Sequence, residues 1–122
     1  MLLVDAANVI GSRPTGWWRD RAGAARTFVG QLRGAVTAER IARPVVVVLE
    51  GKARQSVQPG LADGVTVQHA VGSGDDALFD IARRASGQRV TLVTADRDLR
   101  RRAEALGADV VGPNWLFERM ES

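Results

Sequence analysis

Five short apolar runs punctuate the chain, and longer stretches with apolar residues at helical spacing separate them. The runs are Leu2 to Asp5, Val45 to Leu49, Val65 to Val71, Val90 to Thr94 and Asp109 to Gly112. Their apolar character is continuous rather than alternating, which predicts strands buried on both faces, as in a parallel sheet. From Asp20 to about Ala42, Ala22, Ala25, Phe28, Val29, Leu32 and Val36 recur at helical intervals, against the weak propensity of Gly23, Gly30 and Gly34. A second helix is predicted from Asp75 to Ser86, with Leu78, Phe79 and Ala82 on one side and Gly87 as its C-cap. A third runs from Arg97 to Leu106 and ends the same way at Gly107. Asn114, after Pro113, is placed to cap a last short helix carrying Trp115, Leu116 and Met120. The polar stretch from Gly51 to Gly64 reads as a mobile loop.

Strand and helix alternating in this way is the pattern of an open, doubly wound sheet. The expected fold class is α/β: a single three-layer α/β/α domain over residues 1–122, with a mostly parallel sheet of about five strands. No internal repeat, linker or low-complexity tract interrupts it.

Composition narrows the chemistry. The 122 residues suffice for one core and leave no room for a second, and 45% hydrophobic with 25% charged residues argues against disorder. No apolar run approaches the roughly 20 residues a membrane helix needs, and no basic segment precedes an apolar stretch at the start, so a soluble, cytoplasmic protein is expected. The absence of cysteine excludes disulfides, thiolate metal sites and cysteine nucleophiles. With one histidine, His69, set in an apolar strand pattern that favours packing, a histidine zinc site is excluded as well. Any metal must be held by oxygen. The net charge of +3 rests on arginines and the single lysine, Lys52. Arginine suits bidentate contact with phosphate, and it is equally what a high-GC genome favours.

Ligands of open parallel sheets bind at the carboxyl ends of the strands. Strand one ends in Asp5, with Asn8 three residues on, and strand two ends in Glu50. The third unit delivers Gly72-Ser73-Gly74-Asp75-Asp76 to a helix start, with Asp80 one turn later, and strand four ends in Thr94-Ala95-Asp96-Arg97-Asp98. Half of the 14 acidic residues fall on this one edge. Crowded acids repel and their pKa values rise unless cations neutralise them, and Mg²⁺ or Mn²⁺ takes carboxylate oxygens and water. Metal-assisted phosphodiester hydrolysis is the reaction such parts suit. Asp75, Asp76 and Asp98 also have a plainer use as helix N-terminal acids favoured by the macrodipole. The glycines of Gly72-Ser73-Gly74 lack the Lys and Ser/Thr of a phosphate-binding loop and are expected to turn the backbone so that Asp75 faces the crevice.

Leu3-Val4-Asp5-Ala6-Ala7-Asn8-Val9-Ile10 resembles the opening of the NYN branch of the PIN-like nucleases. Gly74-Asp75-Asp76-Ala77-Leu78 resembles the acidic helix start of that family, and Val93-Thr94-Ala95-Asp96-Arg97-Asp98-Leu99 its late strand-to-helix motif. The resemblance spans nearly the whole chain, with the motifs in the expected order. It implies a metal-dependent nuclease acting mainly on RNA, with Mg²⁺ or Mn²⁺ held by Asp5, Asp75 and Asp96. Asp98 would be a further ligand or water-orienting group, Asp76 would assist, and Asn8 would hydrogen-bond near the metal or substrate. Glu50-Gly51 departs from the Asp-Gly more usual in the branch. Arg13, Arg19, Arg54 and Arg97 are expected near the same edge as phosphate contacts, with Trp17 as a stacking residue. For Trp17 and Trp18 the plainer reading is packing at the start of the first helix. The expected partner is RNA, with a homodimer or protein partner compatible with the family and no membrane role.

Two other classes compete. Glu50-Gly51-Lys52 with Asp96-Arg97-Asp98 resembles the Toprim arrangement, which leaves Asp5, Asn8 and Asp75 without a task. A non-catalytic RNA-binding or regulatory domain of the same fold would use Arg100-Arg101-Arg102 and Trp17-Trp18-Arg19 for phosphate contact and stacking. A phospho-acceptor receiver domain expects a lysine after a late strand, and the one lysine here follows strand two.

Overall fold

In the computed structural model, which describes residues 1–85 and 87–121, the strands are β1 (Leu2–Asp5), β2 (Val45–Leu49), β3 (Gly60–Ala62), β4 (Val65–His69), β5 (Thr91–Val93) and β6 (Asp109–Val111). The helices are α1 (Ala6–Gly11), α2 (Arg21–Thr37), α3 (Gly74–Arg84), α4 (Arg97–Ala105) and α5 (Pro113–Glu121). They form one six-stranded sheet in the order β3-β4-β2-β1-β5-β6, parallel throughout except for β3. β1 is central, with Leu3 level with Val46 of β2 and Leu92 of β5.

Continuous apolar runs serve both faces of this sheet because successive side chains alternate. Leu2 and Val4 enter a core with Val45, Val47, Leu49, Val65 and Val67, covered by Phe28, Val29 and Leu32 of α2 and Leu116 of α5. Leu3 and Val48 enter the opposite core with Leu92, covered by Leu78 and Ala82 of α3 and Leu99 and Ala103 of α4. Three layers follow from this division. Among the described residues no helix is long and apolar enough to cross a membrane.

The five predicted strands all form, β1 and β2 with the expected bounds and the other three with ends trimmed by one or two residues. Four differences have physical causes. The stretch expected to be a mobile loop contains a 3₁₀ turn (Gly51–Gln55) and the edge strand β3. Asp63 and Gly64 both adopt positive φ, 51° and 79°, so they make the two-residue turn that joins β3 to β4 as a hairpin. The first long helix stops at Thr37 rather than near Ala42, because Glu39 takes a left-handed conformation and Arg40 N–H closes back on Ala35 O at 2.9 Å. The last helix begins at Pro113 itself, so Asn114 lies inside its first turn and is not the cap. The predicted end of the second helix, Ser86, lies outside the described residues. A short helix that the periodicity did not reveal, α1, starts directly after Asp5.

Gly64 is doubly constrained. A Cβ there would adopt the left-handed conformation and stand 2.6 Å from Val36 Cγ1 and 2.8 Å from Arg43 Nε. Gly64→Ala is expected to destabilise the protein by about 1–3 kcal/mol, measured as a lowered urea midpoint with an unchanged m-value. An unaltered midpoint would show that the hairpin does not constrain the fold.

A candidate acidic centre at the sheet switch point

From β1 the strand order runs outward through β2 on one side and through β5 on the other. The crevice between the carboxyl ends of β1 and β5 is therefore the place where helices leave for opposite faces. Asp5 closes β1 at this point and Thr94-Ala95-Asp96 follows β5.

Asp5 is only 5% exposed and Thr94 is fully buried. The Thr94 hydroxyl donates to Asp5 Oδ2 at 2.9 Å and accepts the Asp96 N–H at 3.1 Å. One hydroxyl thus ties the two aspartates together. Asp5 is also the N-cap of α1, its Oδ1 accepting the Asn8 N–H at 3.3 Å. Asn8 reaches across the crevice, where its Oδ1 accepts the Ala95 N–H at 2.8 Å. Asp96 in turn caps α4 by accepting the Leu99 N–H at 2.9 Å. The side chains at the switch point are held by hydrogen bonds on both strands.

Glu50 and Asp75 complete the cluster from the neighbouring strand and helix. Glu50 Oε2 accepts the Gly74 N–H at 2.6 Å, binding the end of β2 to the start of α3. A Cβ on Gly74 would stand 3.1 Å from that carboxylate. Close approach rather than a tight turn explains this glycine, since neither Gly72 nor Gly74 takes a positive φ. Ser73 caps the helix, accepting the Asp76 N–H at 3.2 Å. Asp75 is half-buried in the first turn of α3.

The electrostatics follow from this crowding. Burial raises the Asp5 carboxyl to about 6; the Thr94 and Asn8 hydrogen bonds oppose the rise, and the nearby charges of Asp75 and Glu50 add to it. Burial raises the Asp75 carboxyl too, and the Asp96 and Glu50 charges add to it, while Arg102 acts the other way. Asp5 thus feels the charges of Asp75 and Glu50, and Asp75 those of Asp96, Glu50 and its neighbour Asp76, around one crevice.

The remaining predicted residues are distributed differently. Asp98 is paired with Arg101, and Asp76 lies 3.5 Å from Arg102, with both acid side chains largely exposed. They serve the first turns of α4 and α3 on the outer surface and are not brought into the cluster. Arg13 is drawn away to α5, 3.1 Å from Glu121 and stacked 3.7 Å from the Phe117 ring centre. Arg54 braces the turn after β2 through the carbonyls of Gly51 and Ala70. Arg19 rests 5.9 Å from the Trp18 ring and Arg97 stands exposed at the first residue of α4, beside Asp96. Trp17 lines a cavity next to Glu50. His69 packs as expected, with Nε2 2.8 Å from Val57 O.

The donor set is all carboxylate, hydroxyl and amide oxygen, which in kind suits Mg²⁺ or Mn²⁺ and not zinc. Among the described residues no three acids stand close enough to hold an ion as their side chains lie. Asp5 is fixed, so any closure on an ion falls to the less buried Asp75 and Asp96. Thr94 is the member that sequence reasoning passed over as a site residue, although its place two residues before Asp96 was the signal.

No family model matches the chain, and no curated protein matches it. Among solved structures, a crystal structure of a mutant of Rae1 (YacP) from Bacillus subtilis is similar, with a TM-score of 0.70 and 19% identity over 98% of this chain and 74% of that one. The two share a fold. At this identity the likeness speaks for the α/β/α fold alone.

A carboxyl raised from 3.8 to about 6 weakens the fold once it ionises. Below about pH 3 the folded and unfolded states both hold the proton, and no penalty exists. As pH rises from about 3 to 6 the unfolded chain releases it first, and stability falls by about 1–3 kcal/mol, then stays level. In EDTA, the stability of the parent relative to Asp5→Asn is thus expected to fall as pH rises from about 3 to 7, whatever the hydrogen bonds of the carboxylate contribute at both ends. A stability difference between the two that does not change from about pH 3 to pH 7 would contradict the burial-driven shift.

Proposed function

We propose that this chain is a PIN-like domain of the NYN branch that hydrolyses phosphodiester bonds in RNA with Mg²⁺ or Mn²⁺ at the Asp5 crevice. The observation that carries this reading is the buried Asp5 carboxylate, joined through the Thr94 hydroxyl to Asp96 and facing Asp75 and Glu50 at the switch point. A fold spends stability on such a group when a cation is to be held there. The ordered sequence motifs and the likeness of fold to Rae1 support the same reading.

In this proposal Asp5, Asp75 and Asp96 are the carboxylate ligands. The chemistry a bound ion supplies is neutralisation of charge on the phosphate and activation of a water. The protein's own work is orientation. Thr94 and the Asn8 N–H keep Asp5 in one rotamer, so that its remaining lone pairs face the crevice. Asn8 fixes Ala95 and with it the turn that presents Asp96. Glu50 spends one oxygen on Gly74 and sets the position of Asp75 one residue later. The exposed Arg97 is the nearest cation in sequence to Asp96 and supplies phosphate contact. The Toprim alternative is weakened because Asp98, its second metal-binding aspartate, is turned to Arg101 while Asp5 sits at the centre.

The test is cleavage of labelled single-stranded and structured RNA in Mn²⁺. Activity is expected to vanish in EDTA and in Asp5→Asn, and Thr94→Val is expected to lose about 10–100-fold, recovered in part by more Mn²⁺. EDTA-sensitive cleavage that survives Asp5→Asn would sink the assignment.

A further inference from the structure

Beside the acidic crevice lies a cavity of about 320 Å³ whose lining includes Glu50, Lys52, Trp17, Arg21, Ala7 and Ile10. Glu50 belongs to both, so the cavity opens next to the carboxylates rather than elsewhere on the surface. Its size falls at the small end of ligand clefts, about 300–1,000 Å³, which admits one planar ring system and little more. The lining combines apolar side chains, one aromatic ring and two exposed cations.

Trp17 is placed to act as a platform rather than as core. It lies in a 3₁₀ turn between α1 and α2 and is only partly buried. The ring packs beside Gly11, whose Cβ position lies at ordinary contact distance, 3.6 Å, from Trp17 Cζ2. The Trp18 ring meets it edge-on at 6.0 Å, and the Arg21 guanidinium lies 5.5 Å from its centre. Trp17 also lines a larger cavity against α2 and α5, so it stands between the two spaces. A ring held in this way offers stacking at low entropic cost.

We infer that this cavity receives one unpaired nucleobase of the RNA strand, stacked on Trp17, with Lys52 and Arg21 holding the adjoining phosphates. The inference rests on the nuclease reading for its choice of ligand. A base within a duplex is stacked on both faces and cannot enter, so single-stranded or looped RNA is selected. Arg21 and Lys52 come from different elements, and the strand they would hold runs from the cavity toward the carboxylates across Glu50.

The experiment is equilibrium binding of a fluorescein-labelled single-stranded hexaribonucleotide, and of the same sequence as a duplex, in the Asp5→Asn background with Mg²⁺. Trp17→Ala is expected to weaken single-strand binding about 5- to 100-fold and leave the duplex unchanged. Trp17→Phe should restore most of the loss. Ala7→Phe, which fills the cavity from an exposed helix position and keeps the tryptophan, should weaken single-strand binding likewise. Single-strand affinity untouched by Trp17→Ala and Ala7→Phe would overturn the inference, as would an equal loss for single strand and duplex. The two readings separate cleanly. Mn²⁺-dependent cleavage by the parent with binding indifferent to Trp17 rejects the cavity and keeps the nuclease. Trp17-dependent single-strand binding without any cleavage keeps the cavity and rejects the nuclease.

Discussion

The hydrogen bond from the Thr94 hydroxyl to Asp5 holds the site together. It joins the ends of two adjacent parallel strands where the sheet reverses its direction of growth, and both partners are buried. The same hydroxyl accepts the Asp96 N–H, so the start of α4 is set by the position of the Asp5 side chain. Asp5 in turn begins α1. Helices on both faces of the sheet therefore take their origin from one carboxylate and one hydroxyl. Asp5 is buried at the centre, and Asp75 and Asp96 line the crevice half-buried. A site built this way keeps one donor fixed while the others close on what it binds.

Burial gives this centre its cost, and crowding adds to it. Asp5 is pushed up by burial, and Asp75 and Glu50 add to the strain because they share the crevice. Glu50 repels its neighbours, and it also holds the start of α3 through Gly74. It also borders the cavity walled by Trp17. One residue thereby connects the acids, the helix that carries Asp75 and the space beside them. The arginines at the outer ends of α3 and α4 are occupied with Asp76, Asp80 and Asp98. Exposed cations also stand at Arg97, next to Asp96 in sequence, and at Arg21 and Lys52 on the cavity wall.

Most of the architecture was legible in the sequence because buried parallel strands write themselves as continuous apolar runs. What escaped was short or governed by backbone conformation. α1 spans six residues and has too few turns to show a period. β3 was hidden in a polar stretch, although Asp63-Gly64 carried the hairpin signal. At the site, strand ends identified Asp5, Glu50, Asp75 and Asp96 as neighbours, because topology alone brings those ends together. Helical register was needed for the rest. Asp76 and Asp98 each sit within a first turn but point to arginines one turn on or on the adjacent helix, a choice that only packing makes. Arg13 was close in sequence yet went to Phe117, where stacking and Glu121 hold it.

The central claim is that the carboxylates around Asp5 are arranged for a divalent cation, and thermal melting across a Mn²⁺ titration at pH 7 addresses it without reference to any substrate. A cation bound by the folded state alone raises the melting temperature with its concentration. A rising, saturable shift is expected for the parent chain and is absent in Asp5→Asn. No shift in the parent, or the same shift in the variant, would contradict it.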